Sequence, residues 1–273
     1  IEANNYPLES IAQMTKANRK IGLGVMGFAD LLIRLGIAYN SDEGVAFAKQ
    51  IMSFIQAKGR EASLELAEIR GTFPNYKGSI YEAQGLPLRN ATITTVAPTG
   101  TISLIAGCSS GIEPLFALAF TRNVMDNDKL VEVNPVFETI MHEHGLYSEK
   151  LMERVATQGS LVGFDEIPET IRRVLVTAYD VSPEWHIKMQ AAFQAYTDNA
   201  VSKTVNFPKE ATREQIEEVY RLAYKLGCKG VTVYRSGSRE GEVLTVGNNT
   251  SKTETTPTTP AEAVHHQPRK RPK

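Results

Sequence analysis

Helical and β-branched segments alternate along this chain, and that alternation limits the possible folds more than any other feature. Ser41, Ser182-Pro183 and Thr212 each have the residue types that begin a helix, and an amphipathic stretch follows each of them. Runs of β-branched residues predict strands at 91–97, 202–207 and 230–235, with shorter ones at 111–115 and 161–163. This order predicts an α/β fold with crossover connections, whose chemistry lies at the strand ends.

The composition excludes several classes of protein. The chain carries 30 Lys and Arg against 31 Asp and Glu, so it has no overall basic field for nucleic acid or for an anionic membrane. No run approaches the roughly 18 apolar residues of a membrane span. Only Cys108 and Cys228 are present, which excludes a disulfide framework and a four-thiolate zinc site. We therefore expect a cytoplasmic protein with no membrane segment and no specific nucleic-acid binding.

The last residues differ in character from the rest. Residues 247–273 are rich in Thr and Pro and contain no aromatic residue, so they predict a disordered linker after a body that spans residues 1–246. The basic cluster at 269–273 is interpreted as a solvated linker end rather than a nucleic-acid contact. His265 and His266 are adjacent in this tail, and no metal site is predicted from them.

Three glycines at 22, 24 and 27 match the pattern G-x-G-x-x-G. A dinucleotide site needs a strand directly before the first glycine, because the pyrophosphate binds where a strand turns into a helix. Residues 12–20 and 28–35 both have helical patterns instead. We therefore expect these glycines to let two helices pack closely, and we do not predict a dinucleotide site.

The most informative stretch follows the predicted strand at 91–97. Pro98 fixes a turn, Gly100 lets the backbone approach a ligand, and a short apolar segment then begins a helix. Hydroxyl groups and the unpaired N–H groups of the new helix together suit a phosphate, although an ordinary Thr-rich turn has the same composition. The candidate phosphate site comprises Ala97, Pro98, Thr99, Gly100, Thr101 and Ile102.

The remaining chemistry-bearing residues favour structural roles. Cys108 is flanked by small residues and Cys228 follows a helix-ending glycine, so both are expected to pack rather than react. His142 and His144 are two positions apart, a spacing that does not bring both rings to one helix face. His186 is expected to make a structural hydrogen bond. We predict no metal site.

Several strings, in the same order, resemble the large catalytic chain of ribonucleotide reductase over about residues 1–246. The form of residues 232–239 is most similar to the adenosylcobalamin-dependent class. The strings are Asn5-Tyr6-Pro7-Leu8-Glu9, Ala17 to Gly27, Ala97-Pro98-Thr99-Gly100-Thr101-Ile102-Ser103, Ser110-Gly111-Ile112-Glu113-Pro114, Val205-Asn206-Phe207-Pro208 and Gly227 to Arg235.

This resemblance implies a fold and an activity. The fold is a ten-stranded α/β barrel of two five-stranded halves, of which this chain is the second, and the loop at residues 97–102 holds the substrate's phosphates. The activity is that of an oxidoreductase of DNA synthesis: a thiyl radical takes the ribose 3′-hydrogen and hydrogen replaces the 2′-hydroxyl of a ribonucleotide, here a diphosphate. Adenosylcobalamin, an external dithiol, the N-terminal half of the enzyme and a homo-oligomeric complete enzyme are the implied cofactor and partners.

The chain also departs from the family pattern. The family's radical cysteine lies in an Asn-x-Cys-x-Glu loop, and that pattern occurs nowhere here. Neither Cys108 nor Cys228 matches a catalytic position, so no catalytic residue is assigned and we expect a fragment that is inactive alone. Iron-dependent relatives have two adjacent tyrosines where this chain has Val233-Tyr234. A single tyrosine fits the cobalamin-dependent class.

Two other functions remain open at the level of sequence. One is an unrelated phosphate-binding barrel enzyme, an isomerase or aldolase, for which Lys203 and Lys229 are the only basic candidates near strand starts. The other is a non-catalytic half-barrel that binds a partner protein.

Overall fold

The computed structural model describes residues 1–123 and 129–238. The predicted boundary at 246, the linker at 247–273 with its basic cluster, and His265 and His266 lie outside the described residues. The helices are α1 (Glu9–Asn18), α2 (Phe28–Arg34), α3 (Asp42–Arg70), α4 (Ile80–Ala83), α5 (Gly100–Ala106), α6 (Pro135–Glu143), α7 (Glu149–Gln158), α8 (Glu169–Arg172), α9 (Pro183–Gln194) and α10 (Arg213–Lys225). The strands are β1 (Ala119–Asn123), β2 (Lys129–Val133), β3 (Thr204–Phe207) and β4 (Thr232–Arg235).

The predicted helix starts are confirmed. The Ser41 hydroxyl accepts the Gly44 N–H at 3.0 Å and caps the start of α3, and Gly71 follows the last residue of that helix. Thr212 and Gln215 make both hydrogen bonds of a capping box before α10. Pro183 occupies the first position of α9. In residues 1–123 and 129–238 we find no helix with the length and apolar character needed to cross a membrane.

Extended segments lie side by side in parallel and support the α/β prediction. β3 pairs with β4 in continuous register from Thr204 opposite Thr232 to Phe207 opposite Arg235. Single parallel bridges join Leu23 to Thr94 and Val96 to Val201, just before β3. The spatial order is therefore residues 21–24, residues 92–96, residues 201–207 and then β4. A separate antiparallel hairpin is formed by β1 and β2.

Three predicted strands differ from the observed backbone. Residues 91–97 are extended but form only single bridges, because the Asp198 carboxylate accepts the N–H groups of Ile93 and Thr94 at 2.8 and 3.3 Å. Residues 111–115 contribute one bridge, since Gly111 is left-handed, with φ of 48°. Residues 161–163 form a turn in which the Phe164 N–H donates to the Leu161 carbonyl. The last two strand predictions are wrong.

The glycines at 22 and 24 serve a purpose different from the one predicted. A Cβ on Gly24 would lie 2.1 Å from the Thr95 carbonyl oxygen, and one on Gly22 would lie 2.4 Å from Thr95 Cγ2. Helices do flank the segment, as expected, but these glycines let an extended strand approach its neighbour. The Leu23 N–H donates to the Ile93 carbonyl at 2.7 Å across this contact. The expectation that they bring two helices together is therefore wrong.

The hydrophobic core positions the strand ends. One cluster joins α2, α3 and α9 to Val96, which comes just before the candidate phosphate turn in the sequence, and to Ile112, in the loop that follows α5. Within it the rings of Phe28 and Phe193 meet edge to face, with centroids 4.9 Å apart. A second cluster lies between the hairpin and helices α6 and α7, and a third lies between β3 and α10. The segment before the turn and the loop after α5 are thus each anchored in the core by a buried residue.

We expect Gly24→Ala to destabilise the fold by about 2 kcal/mol, the scale of forced overpacking, because the new methyl group would collide with the Thr95 carbonyl. Urea unfolding measures the change. Gly230→Ala is the matched control, since Gly230 is also exposed and a Cβ there meets nothing within 4 Å. Equal stability of the two variants would contradict the close approach of these strands.

Candidate functional site

The candidate phosphate turn joins the extended segment ending at Val96 to the start of α5. Thr99 adopts a left-handed conformation, with φ of 55°, which is uncommon for a β-branched residue. Its hydroxyl oxygen accepts the Gly111 N–H at 2.7 Å. A second contact joins the Ser103 and Ser110 hydroxyl groups at 2.9 Å. The unusual backbone of Thr99 is therefore held by the loop that follows α5.

The first N–H groups of α5 are available to a ligand. The amides of Gly100, Thr101 and Ile102 donate to no acceptor among the described residues, whereas the Ser103 N–H donates to the Thr99 carbonyl at 2.9 Å. Gly100, Thr101 and Ile102 are exposed, and a Cβ on Gly100 would meet nothing within 4 Å. The turn therefore combines open space with unpaired donors at a helix start.

The loop beneath the turn is hydrogen-bonded to α2 and to the segment between α2 and α3. The Ser109 N–H donates to Asp30 Oδ2 at 2.6 Å, and the Gly27 N–H donates to the Ser109 carbonyl at 2.7 Å. The buried Tyr39 hydroxyl donates to the Ile112 carbonyl at 2.6 Å. Burial raises the pKa of Tyr39 well above its ordinary value, and the negative charge of Glu113 raises it further, so Tyr39 remains a donor at any physiological pH.

Two adjoining cavities lie beside α5. One has a volume of about 420 Å³, and its walls include Ser103, Cys108, Glu113, Thr204 and Asn206. The other has a volume of about 470 Å³ and shares Ser103 and Cys108 with the first. Residues 97–102 do not line either cavity. The predicted turn therefore lies at the exposed start of α5, and the residues of α5 that follow it form part of the cavity wall.

A charged network closes the inner wall of the first cavity. Lys203 is 1% exposed, and its ammonium donates to Glu113 Oε2 at 2.6 Å, to His186 Nδ1 at 2.7 Å and to the Thr204 carbonyl at 2.5 Å. Glu113 Oε1 accepts the Thr204 N–H at 2.7 Å. Since Lys203 only donates, His186 keeps its proton on Nε2, which donates to the Ala178 carbonyl at 3.0 Å.

Burial controls the protonation of this network. It lowers the pKa of Lys203, an effect that the neighbouring Glu113 carboxylate opposes. Burial, together with the Lys203 charge, lowers the pKa of His186 to about 3, so His186 stays neutral. The structural hydrogen bond predicted for His186 is confirmed. Its partnership with Lys203 was not predicted.

The amines considered for Schiff-base chemistry are both engaged. Lys203 has three acceptors and no exposed atom surface to offer, and the Lys229 ammonium donates to the Asp198 carbonyl. The arrangement gives no support to an isomerase or aldolase that uses either lysine.

The other singled-out residues have ordinary packing roles, with one exception. Cys228 is half-buried in the cluster between β3 and α10, and burial raises the pKa of its thiol. His142 stacks on Tyr147 with ring centroids 4.0 Å apart. Cys108 is also half-buried, but it borders both cavities, and the expectation that it packs rather than reacts stays a prediction. Within the described ranges no three His, Cys, Asp or Glu side chains gather as metal ligands would.

Alternation along β3 carries a signal that would have found Lys203. Residues 201, 203, 205 and 207 share one face, and three of them are Val201, Val205 and Phe207 in the core. A lone lysine on that apolar face needs a buried anionic partner. Only the tertiary structure shows that the anionic partner of Lys203 is Glu113.

Comparison with known proteins gives a consistent result. The family model for the ribonucleotide reductase barrel domain matches residues 1–234. The chain is 52% identical over 252 residues to the vitamin B12-dependent ribonucleoside-diphosphate reductase of Thermoplasma acidophilum, covering 92% of this chain and 33% of that protein. It is 47% identical to the protein of that name from Mycobacterium tuberculosis strain H37Rv, over 89% of this chain and 34% of the relative. The chain thus spans about a third of these curated relatives.

A solved structure has the same fold. The class Id ribonucleotide reductase alpha subunit of Actinobacillus ureae superposes with a TM-score of 0.74 at 24% sequence identity, covering 86% of this chain and 43% of that one. The partial barrel expected from the sequence agrees with this likeness.

The low pKa of His186 predicts a pH-dependent stability. The ordinary pKa of His186 is 6.5 and its folded value is about 3, so between these values the unfolded chain binds a proton that the folded chain does not. The stability contributed by the neutral ring is therefore complete above pH 6.5 and is lost as the pH falls toward 3. The loss approaches ~1.4 kcal/mol per pH unit. Urea unfolding between pH 7.5 and 5 measures it. His186→Gln should flatten the dependence of the unfolding free energy on pH, whereas His142→Gln, at an exposed position, should keep it. An unchanged dependence in His186→Gln would contradict the buried neutral ring.

Proposed function

Because this chain belongs to the ribonucleotide reductase barrel family, we propose that it forms the second half of a reductase barrel and holds the phosphates of a ribonucleotide substrate. The proposed phosphate site is the turn of Ala97, Pro98, Thr99, Gly100, Thr101 and Ile102. The observation that carries the proposal is that the first three N–H groups of α5 have no acceptor in the part of the chain that the structure describes.

The physical chemistry of the turn suits an anion. Three consecutive amides at a helix start provide donors and the positive end of the helix dipole. The site is exposed, and Gly100 leaves room for the phosphate to approach the backbone. The turn is also held in place before any ligand arrives, because Thr99 and Ser103 are bonded to the loop at 110–111. A site that is already ordered pays less entropy on binding.

The proposed reaction replaces the ribose 2′-hydroxyl of a ribonucleoside diphosphate with hydrogen by thiyl-radical chemistry, for DNA synthesis. The chain contains no Asn-x-Cys-x-Glu string, and Cys108 and Cys228 are not assigned to the radical or redox steps. We therefore assign the radical thiol to an N-terminal half of the enzyme and the electrons to an external dithiol. No residue of this chain is proposed to be catalytic.

Adenosylcobalamin is the proposed radical source, in keeping with the names of the relatives. The residues present fit a large group with an apolar face. Ile102, Leu104 and Ile105 are exposed on α5, the last two by at least 80%, and Leu104 also lines both cavities beside this helix. These side chains would pack against the cofactor, and the bound cofactor would supply the radical that starts the reaction.

The partner expected for this half-barrel is the N-terminal half of the same enzyme. Residues 21–24 have no strand partner on their outer edge among the described residues, and Leu8, Met14 and Leu23 expose apolar surface. An open strand edge favours association, and exposed apolar side chains add to that tendency. We propose that the barrel part extends to residue 246, that a linker follows at 247–273, and that the complete enzyme is a cytoplasmic homo-oligomer.

We expect Gly100→Asp to weaken the binding of a ribonucleoside diphosphate about a hundredfold, because like charges ~4 Å apart repel by up to ~4 kcal/mol near a protein surface. The fold should be kept, since a Cβ at Gly100 meets nothing and an acidic residue suits a helix start. Calorimetry on the chain completed with the upstream half of the barrel measures the affinity. Gly230→Asp, at an equally open glycine before β4, is the control; equal affinity of both variants would refute the phosphate site.

A second expectation concerns turnover. This chain alone, given adenosylcobalamin and a dithiol, should convert no ribonucleoside diphosphate, because it has no cysteine loop of the required pattern. Chromatography of the nucleotide products measures the reaction. Addition of an upstream half that carries Asn-x-Cys-x-Glu should restore deoxyribonucleotide formation, and product from the chain alone would show that the assignment of the radical thiol is wrong.

A further inference from the structure

The buried pair of Lys203 and Glu113 reaches from the protein interior to the candidate phosphate turn. Glu113 is only two residues after Gly111, whose N–H donates to the Thr99 hydroxyl at 2.7 Å. Ser110, on the same loop, bonds to Ser103 in α5. Two hydrogen bonds therefore connect the loop that carries Glu113 to the turn and to α5.

The position of Glu113 is set from β3. Its two carboxylate oxygens accept from the Lys203 ammonium at 2.6 Å and from the Thr204 N–H at 2.7 Å. The Lys203 side chain is fully buried, while that of Glu113 is 26% exposed at the cavity wall. His186 holds the other side of the ammonium, and its own ring is bonded to the Ala178 carbonyl. The three donors of Lys203 thus have acceptors in the loop (Glu113), in α9 (His186) and in β3 (Thr204).

A buried ammonium is costly to keep unless all its partners are in place, and it is often no more stabilising than apolar residues of similar size. Stability alone gives a weak reason for such a group next to a ligand site. The position of Lys203 gives a stronger reason. Lys203 bonds to Glu113 in the cavity wall, and the loop of Glu113 bonds to the phosphate turn.

We propose that Lys203 is a positioning residue for substrate phosphate: through Glu113 it sets where the loop at 109–113 lies, and this loop sets the backbone of Thr99 and the free amides after it. The inference rests on the proposed phosphate site. Lys203 does not touch the substrate in this role.

The test compares CDP with cytidine, which lacks the phosphates, in the complete enzyme. For Lys203→Met we expect the Kd of CDP to rise about tenfold, equivalent to ~1.4 kcal/mol, and the Kd of cytidine to stay unchanged. The KM for CDP should rise with the Kd while kcat stays within about twofold, since only ground-state phosphate binding is affected. Lys58→Met removes an exposed Lys–Glu pair of the same 2.6 Å length and should change nothing.

Glu113→Gln provides an independent test if Lys203→Met fails to fold, because this shape-preserving change is made at the partly exposed partner. It should cause the same selective loss. If Lys203 acts through Glu113, the double variant should lose no more affinity for CDP than the single variant that has the larger loss.

The outcomes separate this inference from the proposed function. If a folded Lys203→Met or Glu113→Gln variant keeps the wild-type preference for CDP over cytidine, or loses affinity for both ligands equally, Lys203 has no positioning role. If the unaltered enzyme shows no preference for CDP over cytidine, the phosphate site itself is wrong, and the positioning role falls with it.

Discussion

The backbone at Thr99 is the constraint on which the candidate site depends. A left-handed threonine is uncommon, and here the Gly111 N–H donates to its hydroxyl oxygen. That one conformation turns the chain from the extended segment into α5 so that the amides after Thr99 face solvent. The loop that makes the bond is itself held by Asp30 and Tyr39. A flexible turn with the same residues would have to be ordered by the ligand, at the expense of affinity.

The buried charge of Lys203 lies against the loop that follows α5, and no reacting role is assigned to it. Lys203, Glu113 and His186 form a chain of hydrogen bonds in which His186 is neutral and each donor of Lys203 is satisfied. Such a network specifies one arrangement, because any slip of the strand or the loop leaves a buried ammonium without partners. The proposed division of labour follows: this half of the barrel orients the nucleotide, and the thiol chemistry is assigned to the other half.

Much of the local structure could be predicted because it depends on neighbours in the sequence. The caps at Ser41 and Thr212 were confirmed, as was the helix that begins at Pro183. The strand-to-helix turn at residues 97–102 was located correctly, although its role as a phosphate site stays a prediction. The purpose of Gly24 could not be predicted, because the Thr95 carbonyl that excludes a side chain there is 71 residues away in the sequence. The partner of Lys203 lies 90 residues away.

The sequence by itself determined where helices begin, which residues alternate into the core, and which family the chain resembles, since these depend on residue type and spacing alone. Only the tertiary structure decided that the Asp198 carboxylate takes the amides of Ile93 and Thr94 from the strand ladder, that Glu113 meets Lys203, and that the amides after Thr99 stay free. The physical reason is that a hydrogen bond between distant residues is chosen by which groups packing brings within about 3 Å, and that choice is made by the core as a whole.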